Sequence, residues 1–234
     1  MGSNRVVSLD LMRGVAIILM IVYHFFYNLN YFNFIDIKIT SNPFWVGFRV
    51  VVVTLFLLAV GVSLQIVHKN GLKLNKVKKR FLILLLASLA VSIATYSVLP
   101  KYWVYFGILH FILIASLLAL PFINYPRLSL ILGVIIVLGY IFGFLNMHWL
   151  YSFITNYINL PKYTVDLVPF FPWFGVVLIG VGINLDIFKK ADTLFIKRKN
   201  PILNSLAFFG KHSLVIYLLH EPILYGLTLL AAYI

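Results

Sequence analysis

Apolar runs long enough to cross a bilayer follow one another along almost the whole chain, with only short polar or basic stretches between them. A transmembrane helix needs about 20 predominantly apolar residues. Runs of that kind fall at 8–29, 43–67, 81–99, 104–123, 128–145, 168–187 and 212–234. Only 11% of the residues are charged and 62% are hydrophobic, whereas an average soluble domain carries about 25% charge. The reading is an all-α integral membrane protein of the multi-pass kind. It forms one domain over 1–234, a single bundle of about seven transmembrane helices. The first run keeps Asp10 and Arg13 inside it, and no small-residue cleavage site follows, so it reads as a retained span and not a signal peptide. Cysteine is absent, which excludes disulfides, thiolate metal sites and a catalytic thiol.

The formal charge of +13 does not point to nucleic acid, because it is sorted by position. The strongly basic stretches are HKNGLKLNKVKKR at 68–80 and KKADTLFIKRKNP at 189–201. Of the 19 lysines and arginines, Lys38, Arg49, Lys101 and Lys162 alone fall on the opposite side when the N-terminus is placed in the cytoplasm. Cytoplasmic loops carry the excess of Lys and Arg. Seven spans put both basic loops inside and the C-terminus outside. The expected setting is the cell membrane, with membrane lipid as a partner. Glycines in the fifth and sixth runs (Gly139, Gly143, Gly175, Gly180, Gly182) suit close helix packing, and glycine-lined spans would allow a homodimer.

Ionisable groups inside such runs are candidates for function. SLDLMRGVAIILMIVYH, at 8–24, holds three of them. Asp10 and Arg13 are helix neighbours at i, i+3. Arg13 and His24 are eleven residues apart, which returns to within about 20° of one direction and separates them by about 16 Å along the axis. The last run holds His220 and Glu221 at mid-depth, followed by Pro222, which removes a backbone donor. His212 and Lys211 open that run from the cytoplasm. His110 lies in the outer half of the fourth run. Arg49 sits just inside the outer interface, and Asp166 opens the sixth run from outside. His68 and His148 read as loop residues. No His-x3-His or HExxH pattern occurs. Among the histidines only His212 and His220 share a span at all, so no metal centre is expected.

A phosphate-attracting cytoplasmic end, a helix-length path and an imidazole toward the far side fit a long anionic donor. Coenzyme A has that shape. Its nucleotide head would lie at Asp10, Arg13, Lys211 and His212, and its thioester would reach His24. Arg49 and Asp166 are positioned to meet a polar acceptor entering from outside. The imidazole either deprotonates that acceptor or is itself acylated.

LDLMRGVAIILMIVYH, with Arg, ten residues and then His, resembles the first-helix signature shared by membrane acyltransferases of family 3 and the heparan-α-glucosaminide N-acetyltransferase catalytic-domain family. FWVGFRVVVVTLFLLAVGVSL, VYFGILHFILIASLLALPF, VPFFPWFGVVLIGVGI and FGKHSLVIYLLHEPI resemble the second family, in its short prokaryotic form. The resemblance implies an α-helical transmembrane acyltransferase using acetyl-CoA or another acyl-CoA as co-substrate, without metal. It implies transfer to an amine or hydroxyl of an extracytoplasmic sugar, glycan or glycolipid. Asp10, Arg13 and His24 carry the signature, and His220 with Glu221 forms the second motif. The lysosomal members are much longer, with a luminal domain, so their heparan substrate does not carry over. The catalytic imidazole is His24, His110 or His220. A second class of reading is a proton-coupled transporter with Asp10, Arg13, His24, His220 and Glu221 as its relay.

Overall fold

The computed structural model describes residues 6–147, 152–153, 157, 160–161, 163–197 and 200–234. His148, Lys162, Arg198 and Lys199 lie outside the described residues. Within them the chain forms α1 (Val7–Tyr31), α2 (Pro43–His68), α3 (Leu74–Val98), α4 (Ile108–Leu118), α5 (Pro126–Ile141), α6 (Phe170–Gly182), α7 (Leu185–Lys197), α8 (Pro201–Lys211) and α9 (Ser213–Ala232). A 3-10 turn at Leu120–Asn124 separates α4 from α5. The described residues contain no strand, only an isolated bridge between Phe106 and Leu167. The all-helical class expected from the sequence is observed.

Among the described residues, four to five helices meet the length and apolarity that a membrane crossing needs, against seven apolar runs in the sequence. α1, α2, α3 and α9 are long and apolar enough to cross a membrane, and α6 with the first part of α7 makes a fifth if the two are one interrupted span. α4 and α5, with 11 and 16 residues, fall short of the runs that predicted them. The causes are local. After Leu118 the chain tightens into the 3-10 turn, which contains Pro121, and Pro126 then opens α5. At its other end α5 stops at Ile141, four residues before the apolar run does. Gly143 takes φ +79°, and the Leu145 amide turns back to donate to Gly139 O at 3.0 Å. A left-handed glycine just past the last helical turn ends a helix in this way. Apolar composition alone runs straight through both stops.

The fold gathers into two units, 1–59 with 184–234 and 60–183. In the first, α1 packs against α8 and α9. Gly14 of α1 faces the backbone of Leu206, and Gly210 of α8 faces the backbone of Asp10. A side chain at either position would collide with main chain, so the two glycines set how closely these helices approach. Ile17, Met20 and Val52 form a buried cluster, closed by Phe48, Phe56, Phe209, Ile216 and Tyr217. The N-terminus of α1 has no cap from its own segment. Asp192 of α7 supplies one, accepting from the amides of Val7 at 3.2 Å and Ser8 at 2.6 Å. A carboxylate there answers both the unpaired donors and the positive end of the helix.

The second unit is built on the same close approach. Gly133 of α5 and Gly175 of α6 each face the other's backbone, Gly182 meets Leu130 and Pro126, and Gly61 meets the backbone of Val177. The buried Ser129 hydroxyl donates to Leu178 O at 2.8 Å. Gly175 and Gly182 therefore pack within one chain. The remaining faces of each unit are strongly apolar: Leu86, Ile93, Ile131 and Ile135 in the second and Ile223, Leu227 and Leu230 in the first are all exposed. Apolar surface of that extent is found where lipid or protein covers it.

Candidate active site

α1 places His24 and Asn28 one turn apart on one face, and α9 places His220 and Glu221 opposite them. The result is a cluster of four polar side chains drawn from the two ends of the chain. His24 Nδ1 lies 3.0 Å from Glu221 Oε2. The other carboxylate oxygen, Oε1, accepts from Asn28 Nδ2 at 3.2 Å. The imidazole rings of His24 and His220 meet edge to face with centroids 4.9 Å apart. His220 is 8% exposed, and its Nδ1 lies 2.6 Å from Tyr217 O. A carbonyl can only accept, so that nitrogen carries the proton and donates, leaving Nε2 as a lone pair turned toward the cluster. The His24 and Glu221 side chains remain about a third exposed, at 34% and 37%. α9 stays helical through Pro222.

Around His24 the walls are aromatic. Tyr23 and Tyr27 lie against its ring, and Tyr23 in turn stacks on Phe48. The guanidinium of Arg49 reaches the Tyr23 hydroxyl. Arg49, expected from sequence to meet a ligand at the outer side, thus lies one aromatic ring away from His24.

The other end of α1 carries a second group. Arg13 Nη1 lies 3.5 Å from Asp10 Oδ1, as their spacing required. Asp10 is buried where α8 ends, because Gly210 sits on its carbonyl. Lys211 and His212 follow directly, and His212 occupies the junction between α8 and α9 with its ring 4.6 Å from Phe208. All four residues read as the donor-binding end therefore belong to one place in the first unit.

His110 and Asp166 belong to the second unit, and both are engaged there. Ser92 Oγ donates to Val104 O at 2.7 Å, so it accepts from His110 Nε2 at 3.1 Å. His110 Nδ1 accepts from the Gly107 amide at 3.3 Å. Both ring nitrogens are thus used in tying α3 to the start of α4. Asp166 Oδ2 accepts from the Ile108 amide at 2.9 Å, capping α4. The segment around it is held by Val165 N to Tyr102 O at 3.0 Å and Thr164 Oγ1 to Trp103 O at 2.7 Å.

Asn28 is the site residue that sequence reasoning missed. Its signal is the i, i+4 relation to His24, passed over because asparagine carries no charge and stands near the end of the first run. α1 continues past that end to Tyr31, and Asn28 is buried.

Residues 5–222 match the family described as heparan-alpha-glucosaminide N-acetyltransferase, catalytic. No curated protein and no solved structure matches the chain.

Proposed function

The chain belongs to the heparan-alpha-glucosaminide N-acetyltransferase catalytic-domain family, a family of transmembrane acetyltransferases, and from that premise we propose how its own residues divide the reaction. The donor is an acyl-CoA, acetyl-CoA in the first instance, entering from the cytoplasm. The acceptor is an amine or hydroxyl of a sugar or glycan on the other side of the cell membrane. Arg13, Lys211 and His212 hold the phosphates of the donor. Asp10 fixes Arg13 by the 3.5 Å contact. The extended pantetheine arm follows α1, whose axis carries Arg13 and His24 about 16 Å apart.

The observation that carries this reading is the carboxylate-backed imidazole. Glu221 stands 3.0 Å behind His24 Nδ1 and is itself steadied by Asn28. A ring whose Nδ1 proton faces a carboxylate presents Nε2 as a base, and the positive charge it acquires is stabilised by that carboxylate. The acceptor O–H or N–H gives its proton to His24 Nε2. The acceptor heteroatom bonds to the acyl carbonyl carbon. The C–S bond breaks, its electron pair leaves on the CoA sulfur, and the imidazolium returns the proton to that sulfur. Arg49, through its place beside Tyr23, contacts the acceptor.

The test has two steps. Purified protein in detergent binds acetyl-CoA, and proteoliposomes holding acetyl-CoA on one side transfer the acetyl group to an amino sugar or a glycan hydroxyl on the other. No CoA binding at millimolar ligand defeats the reading. Full transfer activity in a folded His24→Ala protein moves the base elsewhere.

A further inference from the structure

Three buried side-chain atoms in the first unit converge on one point: His24 Nδ1, His220 Nε2 and Glu221 Oε2. All lie within 4.8 Å of one another. His24 Nδ1 and Glu221 Oε2 face each other at 3.0 Å, while His220 Nε2, turned toward them, has no hydrogen-bond partner. Buried polar atoms ordinarily find partners. Three electron-pair donors turned on one point, one of them without a partner, describe a coordination sphere.

We infer that these three atoms form a site for one divalent transition-metal ion of the zinc class. Two imidazole nitrogens and one carboxylate oxygen are a donor set that such ions accept, with a fourth position left for a water or ligand oxygen. A tetrahedral ion with bonds of about 2.0–2.2 Å holds its donor atoms roughly 3.4 Å apart, so movements on the order of 1 Å complete the set. The shell behind the donors is already built. Ligating histidines usually give their second N–H to a carbonyl, and ligating carboxylates are usually hydrogen-bonded. His220 Nδ1 donates to Tyr217 O, and Glu221 Oε1 accepts from Asn28. Each partner leaves the inward atom free as a donor of electrons to a metal. No spacing rule exposes this site, because its ligands come from α1 and α9, almost two hundred positions apart. The inference stands on these side chains and does not rest on the acyl-transfer reading. Where both hold, the ion and the Nδ1 proton of His24 exclude one another.

Protein purified in detergent and stripped with a chelator is titrated with Co2+. One equivalent is expected to bind saturably, to give the visible absorption of a four-coordinate ion, and to be displaced by Zn2+. Zn2+ is also expected to raise the melting temperature, as a ligand of the folded state does. Glu221→Gln, which keeps an acceptor for Asn28, and His220→Ala each weaken binding at least tenfold. Asn28→Ala weakens it by about tenfold, the usual cost of losing a group behind a ligand. His212→Ala leaves it unchanged. No saturable binding at about 100 μM Co2+ with no Zn2+ shift in melting temperature overturns the inference. So does binding that survives both Glu221→Gln and His220→Ala. Acetyl-CoA binding, measured on the same preparation, separates the two outcomes, since it fails only if the acyl-transfer reading fails.

Discussion

At the scale of single residues, the site depends on what stands behind the imidazole. In the proposed reaction Glu221, 3.0 Å from His24 Nδ1, stabilises charge on the imidazole without touching the acceptor. Its replacement by Gln keeps the volume and the Asn28 contact and removes the charge. Glu221→Gln is therefore expected to lower the kcat for acetyl transfer by on the order of 10²-fold, with acetyl-CoA affinity unchanged by equilibrium binding. A loss of affinity with kcat intact would place Glu221 at the donor instead. His24, His220 and Glu221 were legible one by one, as costly groups in apolar runs. Their meeting was not, because it depends on how α1 and α9 pack. His110 and Asp166 carried the same chemical signal from sequence, and both are hydrogen-bonded within their own unit. Residue type marks a candidate; which partners surround it is decided by how the helices pack.

At the scale of elements, helix stops decided what the sequence did not reveal. Every long apolar run with a helical interior appears as a helix, and α1, α2 and α9 match their predicted positions closely, whereas α3 begins at Leu74, seven residues ahead of its run, and draws Leu74–Arg80 of the expected basic loop into the helix. Where the runs misled, a proline or a left-handed glycine interrupted them, as at Pro126 and Gly143. The glycines that matter most for the site, Gly14 and Gly210, drew no attention because each lies outside a glycine-rich run. They bring Asp10 and Arg13 against the end of α8, so a side chain at Gly210 must push α8 away from α1. Gly210→Val is expected to destabilise the protein by about 1–3 kcal/mol, read from thermal unfolding in detergent, and to weaken acetyl-CoA binding. A variant with normal stability would show that the two backbones do not meet there. Asp192 acts at the other side of the same helix. Losing its two hydrogen bonds to the first turn of α1 in Asp192→Ala is expected to cost about 1 kcal/mol, measured in the same way.

At the scale of the whole molecule, the open quantity is the number of crossings, and parity narrows it. Starting from a cytoplasmic N-terminus, seven crossings and five both deliver the C-terminus outside and the 68–80 loop inside. Four crossings bring the C-terminus back to the cytoplasm. The difference between seven and five lies in α4 and α5. At about 1.5 Å per residue, the 16 residues of α5 extend about 24 Å, less than the roughly 30 Å hydrocarbon core. The pair either crosses with help from the 3-10 turn and the residues after Ile141, or dips in and returns. Arg127, exposed just past the turn between them, favours the cytoplasmic side. The chain has no cysteine, so single cysteines report without a background. In right-side-out membrane vesicles treated with a membrane-impermeant maleimide, Ile234→Cys is expected to label and Lys76→Cys to label only after permeabilisation. Asn124→Cys is the deciding position. Protection until permeabilisation gives seven crossings and puts the α4–α5 turn on the donor side. Direct labelling gives five, with α4 and α5 as a re-entrant pair open to the acceptor side. Protection of Ile234→Cys would mean an even count and would reverse the direction assigned to α9, and with it the side from which His220 and Glu221 are approached.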